Sequence, residues 1–551
     1  MKIDFKKRQI SYKAVIGWSL CFIGFIMLCN SIRLCFSTDI WYDELFTVGM
    51  SEHSYGEFIH FTAKDVHPPL YYCITKTAVD LCKLINPSAD TIIIIKIVSV
   101  IPYFLLLLYA VTFLRKRFGM FTAGIFFFCV MSMPQMSAYT VEMRMYGFAL
   151  FFVTAAFLHA YGIVSGHKEK ASETAASVTD APFYHYAALT LYGLAAAYTQ
   201  YFACVAVIMI YAYLFVWFTI CLWKRKEKAI GKVLKKLLLC VLVSVIGYLP
   251  WFFVLLSQIS AVRANYWILP LTWRSLGGCV KFLMKPSFAN EKLNTITAVV
   301  MFLIYVTFLV CGVLRIRKIR EAQEGRELQE TQAVWQEKTK FVYATAGCIV
   351  LCGLVGFGFA ASFIIRPVFV YRYMLPAMGC FWLCFALCLD ACMDSAQNFY
   401  RILGACAFLL ILIVGVRDYR AFIGEEEYKI VLIKETETAL SDIAPEDIII
   451  YNFDQLQAVT GYYLEQAGYL WNGEPEELIV EIFGEKGSVY DTQQIKEWLQ
   501  NGKNVRFFGS FNSREDIRAE WENEGIATKE TGSYMLERYW FNIYELSLMA
   551  E

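Results

Sequence analysis

Apolar runs of about twenty residues, recurring from near the start of the chain to residue 417, constrain this sequence more than any other feature. They fall at about 14–36, 91–113, 119–138, 145–165, 184–200, 201–223, 237–257, 295–314, 341–364, 373–392 and 401–417. A helix of about twenty residues is about 30 Å long, the thickness of a bilayer's hydrocarbon core. In lipid, only helices and closed barrels satisfy their own backbone polar groups. The expected fold is therefore an α-helical polytopic membrane protein with about eleven transmembrane helices. Of the 551 residues, 58% are hydrophobic and 17% aromatic, well above the roughly 45–50% apolar content of globular domains. An ordinary soluble enzyme is excluded. The net charge of +1 supplies no field to recruit nucleic acid. All 18 cysteines lie at or before Cys406, scattered through apolar segments without zinc-type spacing, and read as small apolar fillers.

Charge placement orients the spans. Lys2, Lys6, Lys7, Arg8 and Lys13 precede the first run, which has no A-x-A-type cleavage site behind it and is expected to stay as an anchor. Positive flanks face the cytoplasm. Arg115-Lys116-Arg117, Lys224-Arg225-Lys226 with Lys235-Lys236, and the basic stretch 315–340 all fall on loops that alternation assigns to the same side. Residues 37–90 then lie outside, where mixed aromatic and acidic character predicts one or two amphipathic helices at the membrane surface. Residues 258–294, with Arg263, Trp267, Trp273, Lys281 and Lys285, read as interfacial anchors or as a grip on a lipid phosphate.

Beyond residue 417 charge density rises and short β-rich runs appear at 447–451, 478–482, 505–508 and 541–544. Helical patterns at 455–467, 492–499 and 513–521 lie between them. The expectation is a transmembrane catalytic domain over 1–417, carrying its acidic motif on the outer loop 37–90, and an extracytoplasmic α/β domain with a mostly parallel sheet over 418–551. No G-x-G-x-x-G follows a strand there, so nucleotide binding has no support.

Chemistry-bearing residues gather where runs reach the outer side. Asp43 and Glu44 follow the first run, and Asp65 and His67 precede Pro68-Pro69. Lys96 lies a turn into the second run, Glu142, Arg144 and Tyr146 stand between the third and fourth, and Arg372 and Tyr373 between the ninth and tenth. Ionisable residues are expensive in a membrane and mark functional sites by default. Carboxylates and guanidinium groups in one cavity suit a reaction in which a hydroxyl loses its proton as a phosphate departs. The carboxylate acts as base, and fixed cations take up charge on the leaving group.

Several segments in order carry a resemblance: Asp43-Glu44, His67-Pro68-Pro69-Leu70-Tyr71-Tyr72, Glu142-x-Arg144-x-Tyr146, Tyr198-Thr199-x-Tyr201-Phe202 and Arg372-Tyr373-x-x-Pro376. Over about residues 10–420 the chain resembles bacterial glycosyltransferase family 39. These are GT-C membrane glycosyltransferases, related to protein O-mannosyltransferases and lipid A aminoarabinose transferases. The resemblance implies inverting transfer of a sugar from a polyprenyl-phosphate donor to a lipid, glycan or protein acceptor at the outer face, in cell envelope glycosylation. It implies Asp43 as catalytic base with Glu44 beside it. The candidate substrate-binding residues are Asp65, His67, Lys96, Glu142, Arg144, Tyr146, Gln200, Arg372 and Tyr373. Relatives often carry His where this chain has Gln200, and Gln cannot be protonated. No cofactor is required, although Asp43, Asp65 and His67 are compatible with a divalent cation. A polytopic transporter or flippase of a lipid-linked or small polar substrate is the alternative class, and a receptor with a ligand-binding tail is a third.

Overall fold

A computed structural model describes residues 12–165, 181–225, 228–264, 268–284, 289–324, 332–464, 468–484, 487–536 and 538–549. Lys2, Lys6, Lys7, Arg8, Lys226, Trp267 and Lys285, with the side chains of Lys224, Arg225 and Arg263, lie outside the described residues.

The chain opens with α1 (Tyr12–Leu34), then three short helices, α2 (Tyr42–Glu52), α3 (Tyr55–Lys64) and α4 (Leu70–Ile85). Next come α5 (Thr91–Tyr109), a π turn at Ala110–Leu114, α6 (Arg115–Phe118), α7 (Met120–Ser132) and α8 (Tyr146–Ser165). Helices α9 (Phe183–Thr199), α10 (Tyr201–Arg225), α11 (Lys228–Ala264), α12 (Ser275–Met284), α13 (Glu291–Glu324), α14 (Gln332–Ile364), α15 (Leu375–Met393) and α16 (Asn398–Ser441) complete the helical series. Among the described residues nine helices are long and apolar enough to cross a membrane, against the eleven or so expected. The chain is a multi-pass helical membrane protein.

The difference in count has a local cause. Helix α7 has 13 residues, about 20 Å of helix, because Pro134 forces the preceding residue out of helical geometry. Met133 is extended, and Gln135 follows at φ 67°. Every residue of α7 is buried, as expected for a helix that is apolar on all sides. Helix α9 has 17 residues, about 25 Å. Gly17 lets α1 approach α7 closely: a Cβ there would stand 2.2 Å from the Met120 carbonyl oxygen.

Residues group into two compact units. One comprises Met1–Ile32, Val66–Tyr71 and Ser99–Phe422; the other comprises Arg33–Asp65, Tyr72–Val98 and Ile423–Glu551. We call them the helical unit and the sheet unit. The sheet unit thus takes in α2 and α3 from the early loop as well as the carboxy-terminal residues.

Among the described residues six strands form its sheet: β1 (Ile448–Tyr451), β2 (Gly468–Trp471), β3 (Gly487–Val489), β4 (Val505–Gly509), β5 (Ile526–Leu536) and β6 (Tyr539–Leu548), in the order β3-β2-β1-β4-β6-β5. Strands β3, β2, β1 and β4 run parallel, and β6 and β5 pair antiparallel. Helices α17 (Asp454–Leu464), α18 (Glu477–Phe483), α19 (Thr492–Gln500) and α20 (Ser513–Asn523) lie between strands in the chain. The α/β expectation holds, with one segment reassigned. The run 478–482 is helical, because Leu478, Ile479 and Ile482 bury one helix face while Glu477 and Glu481 stay off it. So short an apolar run cannot be told from a strand by periodicity. The core of the sheet unit is aromatic-rich, with Trp471, Phe507, Trp521 and Tyr544 packed among Ile450, Val489 and Val505.

Candidate functional site

The acidic motif belongs to the sheet unit. Asp43 and Glu44 occupy the first turn of α2, where carboxylates complement the helix dipole. The buried Glu44 carboxylate reaches back to the Trp41 backbone N–H at 3.3 Å and so caps the helix that carries Asp43. Asp43 itself is partly exposed. The buried Lys96 donates to the Thr38 hydroxyl at 2.6 Å, to the Asp39 carbonyl at 2.8 Å and to the Thr38 carbonyl. All three hydrogens of its ammonium are thereby directed at the segment leading into α2.

Helix α3 starts from a capping box. The Ser54 hydroxyl accepts from the Glu57 N–H at 3.4 Å, and the Glu57 carboxylate accepts from the Ser54 N–H at 2.9 Å. Asp65 ends α3, its N–H bonded to the Phe61 carbonyl at 3.0 Å. His53 is held as well: its Nε2 donates to the Ile482 carbonyl at 2.8 Å, whereas His60 is exposed.

Three residues far along the chain grip the motif's leading edge. The Tyr42 hydroxyl donates to the Glu476 carboxylate, and the Tyr42 backbone N–H donates to the Tyr539 hydroxyl at 3.0 Å. The Arg538 guanidinium lies 3.7 Å from the centre of the Trp41 ring. Partial burial raises Glu476 above the ordinary carboxylate range, helped by the negative charges of Asp65 and Asp43, while the Tyr42 hydroxyl pulls it partly back. Asp454, partly buried beside Glu476, is pushed up to about 6 even though its Oδ2 accepts the Glu476 N–H at 3.3 Å. Burial and the Glu476 charge raise Tyr42 in turn.

The guanidinium groups belong to the helical unit. Glu142 and Arg144 stand in an irregular segment after a 3₁₀ turn (Ala138–Thr140), so helical spacing does not separate their side chains. Both are buried. Arg144 Nη2 lies 3.4 Å from His67 Nε2; arginine only donates, so Nε2 is the acceptor in this bond. The Arg372 guanidinium lies over the Tyr146 ring, 5.8 Å from its centre. Arg144, Arg372, Tyr139 and Tyr373 all act electrostatically on the Tyr146 hydroxyl, which is buried without a hydrogen-bond partner among the described residues.

A cavity of about 360 Å³ adjoins this group, with His67, Gln200, Tyr201, Tyr248, Gln258 and Tyr373 as its polar lining and an otherwise apolar wall. Gln200 is the single extended residue between α9 and α10 (φ −159°, ψ 139°), which explains the near-absence of a loop there. The residue is 3% exposed, and neither its Nε2 nor its Oε1 has a hydrogen-bond partner among the described residues. An unmatched buried amide costs about 1–3 kcal/mol, so a fully orphaned one facing a cavity points to a polar ligand. Tyr373 stacks on Phe202 with ring centres 4.7 Å apart.

The structure thus brings His67, Arg144, Tyr146, Gln200, Arg372 and Tyr373 into one neighbourhood of the helical unit. Asp43, Glu44, Asp65 and Lys96 belong to the sheet unit. Sequence reasoning missed Tyr248 and Gln258 in the cavity wall, and Glu476, Arg538 and Tyr539 around Tyr42. None sits in a motif, and only folding places them. Of the interfacial candidates, Trp273 is 81% exposed, and Lys281 pairs with Glu291 at 3.1 Å. Among the described residues, no group of three or more His, Cys, Asp or Glu side chains is arranged to hold a metal ion.

No protein-family model matches the chain, and no curated protein matches it. Solved structures do. ArnT from Cupriavidus metallidurans bound to undecaprenyl phosphate aligns over 97% of this chain and 99% of that chain, with a TM-score of 0.50 and 13% identity. The archaeal oligosaccharyltransferase AglB from Archaeoglobus fulgidus, in complex with an inhibitory peptide and a dolichol-phosphate, aligns over 90% of this chain and 69% of that chain, with a TM-score of 0.43 and 13% identity. The likeness to ArnT is one of overall fold.

Proposed function

We propose that the chain is a glycosyltransferase that moves a sugar from a polyprenyl-phosphate donor to an acceptor hydroxyl at the non-cytoplasmic face, inverting the anomeric carbon. The single observation that carries this reading is the cavity of the helical unit. Its wall is apolar enough for a prenyl chain, and its polar lining includes the orphaned Gln200 amide and His67, itself bonded to Arg144. The shared fold with an ArnT structure that holds undecaprenyl phosphate supports the donor class.

In this reading Asp43 takes the proton of the acceptor hydroxyl as its oxygen bonds to the anomeric carbon. The bond from that carbon to the phosphate oxygen breaks, and the lipid phosphate leaves with one more negative charge than it had as a diester. Arg144 and Arg372 offset that added charge. Glu44 and Lys96 hold the segment carrying Asp43, as their hydrogen bonds suggest. Glu142 and Asp65 serve acceptor or sugar hydroxyls, and Tyr373 offers a ring face. The amino terminus is assigned to the cytoplasm and the sheet unit to the outer side by the positive-inside rule.

Binding of undecaprenyl phosphate to the purified full chain in nanodiscs tests the cavity. A Gln200→Leu substitution should weaken that binding about tenfold, the equivalent of about 1.4 kcal/mol, while raising the melting temperature, because an unmatched buried amide is removed. Unchanged affinity would sink the assignment. Since one base and two guanidinium groups suffice for the chemistry, sugar transfer should persist at its full rate in excess EDTA. Loss in chelator, restored by a divalent cation, would replace this scheme with a metal-assisted one.

A further inference from the structure

In open α/β sheets the crevice at the carboxyl ends of the parallel strands, where strand order reverses, is the usual ligand position. Here the reversal falls between β1 and β4. Immediately after β1, Asn452 closes it with two reciprocal bonds. Its Nδ2 donates to the Ser510 carbonyl at 2.7 Å, and its Oδ1 accepts the Ser510 N–H at 2.8 Å. Glu476 lies on the connection that follows β2, and Tyr539 begins β6, which pairs antiparallel with β4, so both stand at that same edge. Phe453, next after Asn452, packs on Phe511 and Tyr539, with ring centres 5.0 and 5.9 Å apart. What this edge holds is the chain's own Trp41-Tyr42.

We propose that the sheet unit uses its ligand-binding edge as a clamp on the acidic motif, with Glu476, Arg538 and Tyr539 as positioning residues for Asp43. The inference rests on the reading of Asp43 as the base.

Three independent attachments converge on the two residues before Asp43: a ring–guanidinium stack at Trp41, a side-chain bond and a backbone bond at Tyr42. The backbone bond matters most for direction. The Tyr42 N–H belongs to the first turn of α2 and has no partner within its own helix, so the Tyr539 hydroxyl sets where the helix begins and which way Asp43 projects. Further along α2, a Cβ on Gly49 would stand 2.4 Å from the Ile482 side chain, and His53 bonds the Ile482 carbonyl, so α18 seats the rest of the helix. Helix α3 is tied to the same element by the Lys64–Glu481 ion pair.

Charged groups surround the clamp. Glu476 faces Tyr42 and Asp43 on α2, Asp65 at the end of α3, and Asp454 at the start of α17. Tyr539 meets Tyr42 from β6, and the nearby cation Arg538 is stacked on Trp41. The charges of Asp65 and Asp43 add to burial in raising Glu476 above the ordinary carboxylate range.

The test is sugar transfer from a polyprenyl-phosphate donor by full-length chains in nanodiscs, with kcat and KM measured separately. Glu476→Ala and Tyr539→Phe should each lower kcat about tenfold with KM for the donor within about twofold, the signature of misplaced chemistry rather than lost binding. Glu476→Gln keeps an acceptor for Tyr42 but removes the charge. It should lose only about threefold in kcat. Recovery of most of kcat by this conservative variant, at unchanged KM, separates positioning from a loss of fold. Parent-like kcat in Glu476→Ala and Tyr539→Phe, with an inactive Asp43→Asn control, would overturn the clamp alone. Full activity in Asp43→Asn would overturn the base assignment beneath it.

Discussion

Asp43→Asn is expected to lower kcat for sugar transfer by about 10³-fold or more, while donor affinity stays within about threefold. Asparagine matches the carboxylate in size, and the Glu44 cap, the Tyr42 attachments and the Lys96 tie all come from other residues and stay in place. The loss should therefore fall on proton removal and not on folding. Transfer assays alongside undecaprenyl phosphate binding separate the two. The result also divides the enzyme from its main rival. A transporter or flippase moves its substrate intact, so radiolabelled sugar would never become covalently attached to an acceptor in any variant. Parent-like transfer by the Asp43→Asn chain would leave the proposed reaction without its base.

The second large effect is expected at the guanidinium pair. Arg144→Met and Arg372→Met should each reduce kcat/KM by about 10²–10³-fold, the scale seen when a fixed donor to a developing anion is removed. Lysine should restore little at either position. The planar fork of arginine meets phosphate oxygens in pairs and stacks on rings, and here Arg144 meets His67 while Arg372 covers Tyr146. Because both groups act on the Tyr146 hydroxyl, the double variant should fall short of the product of the single effects. A loss below threefold in both single variants would remove the phosphate clamp from the scheme.

Much of the architecture was legible from hydropathy. The apolar runs marked the membrane helices because a bilayer imposes a length and forbids unpaired backbone. The difference at α7 came from Pro134, which shortens a run that is apolar throughout. In the tail, alternation of strand-like and helix-like stretches was enough for an α/β fold, while the short run at 478–482 carried no period long enough to separate helix from strand. The motifs likewise marked His67, Arg144, Tyr146, Gln200, Arg372 and Tyr373, which folding gathers around one cavity wall and its flank.

Two things were settled by sequence alone: that the chain lives in a membrane, and that a carboxylate pair and separate arginines were set at the ends of its spans. These follow from the cost of burying charge and backbone in hydrocarbon, a cost each segment bears by itself. Tertiary structure alone decided that the Gln200 amide faces a cavity unmatched, and that Tyr42 is held by partners 434 and 497 residues away. Hydrogen bonding is short-ranged and directional, so which groups meet depends on how distant segments pack, and no local pattern records it.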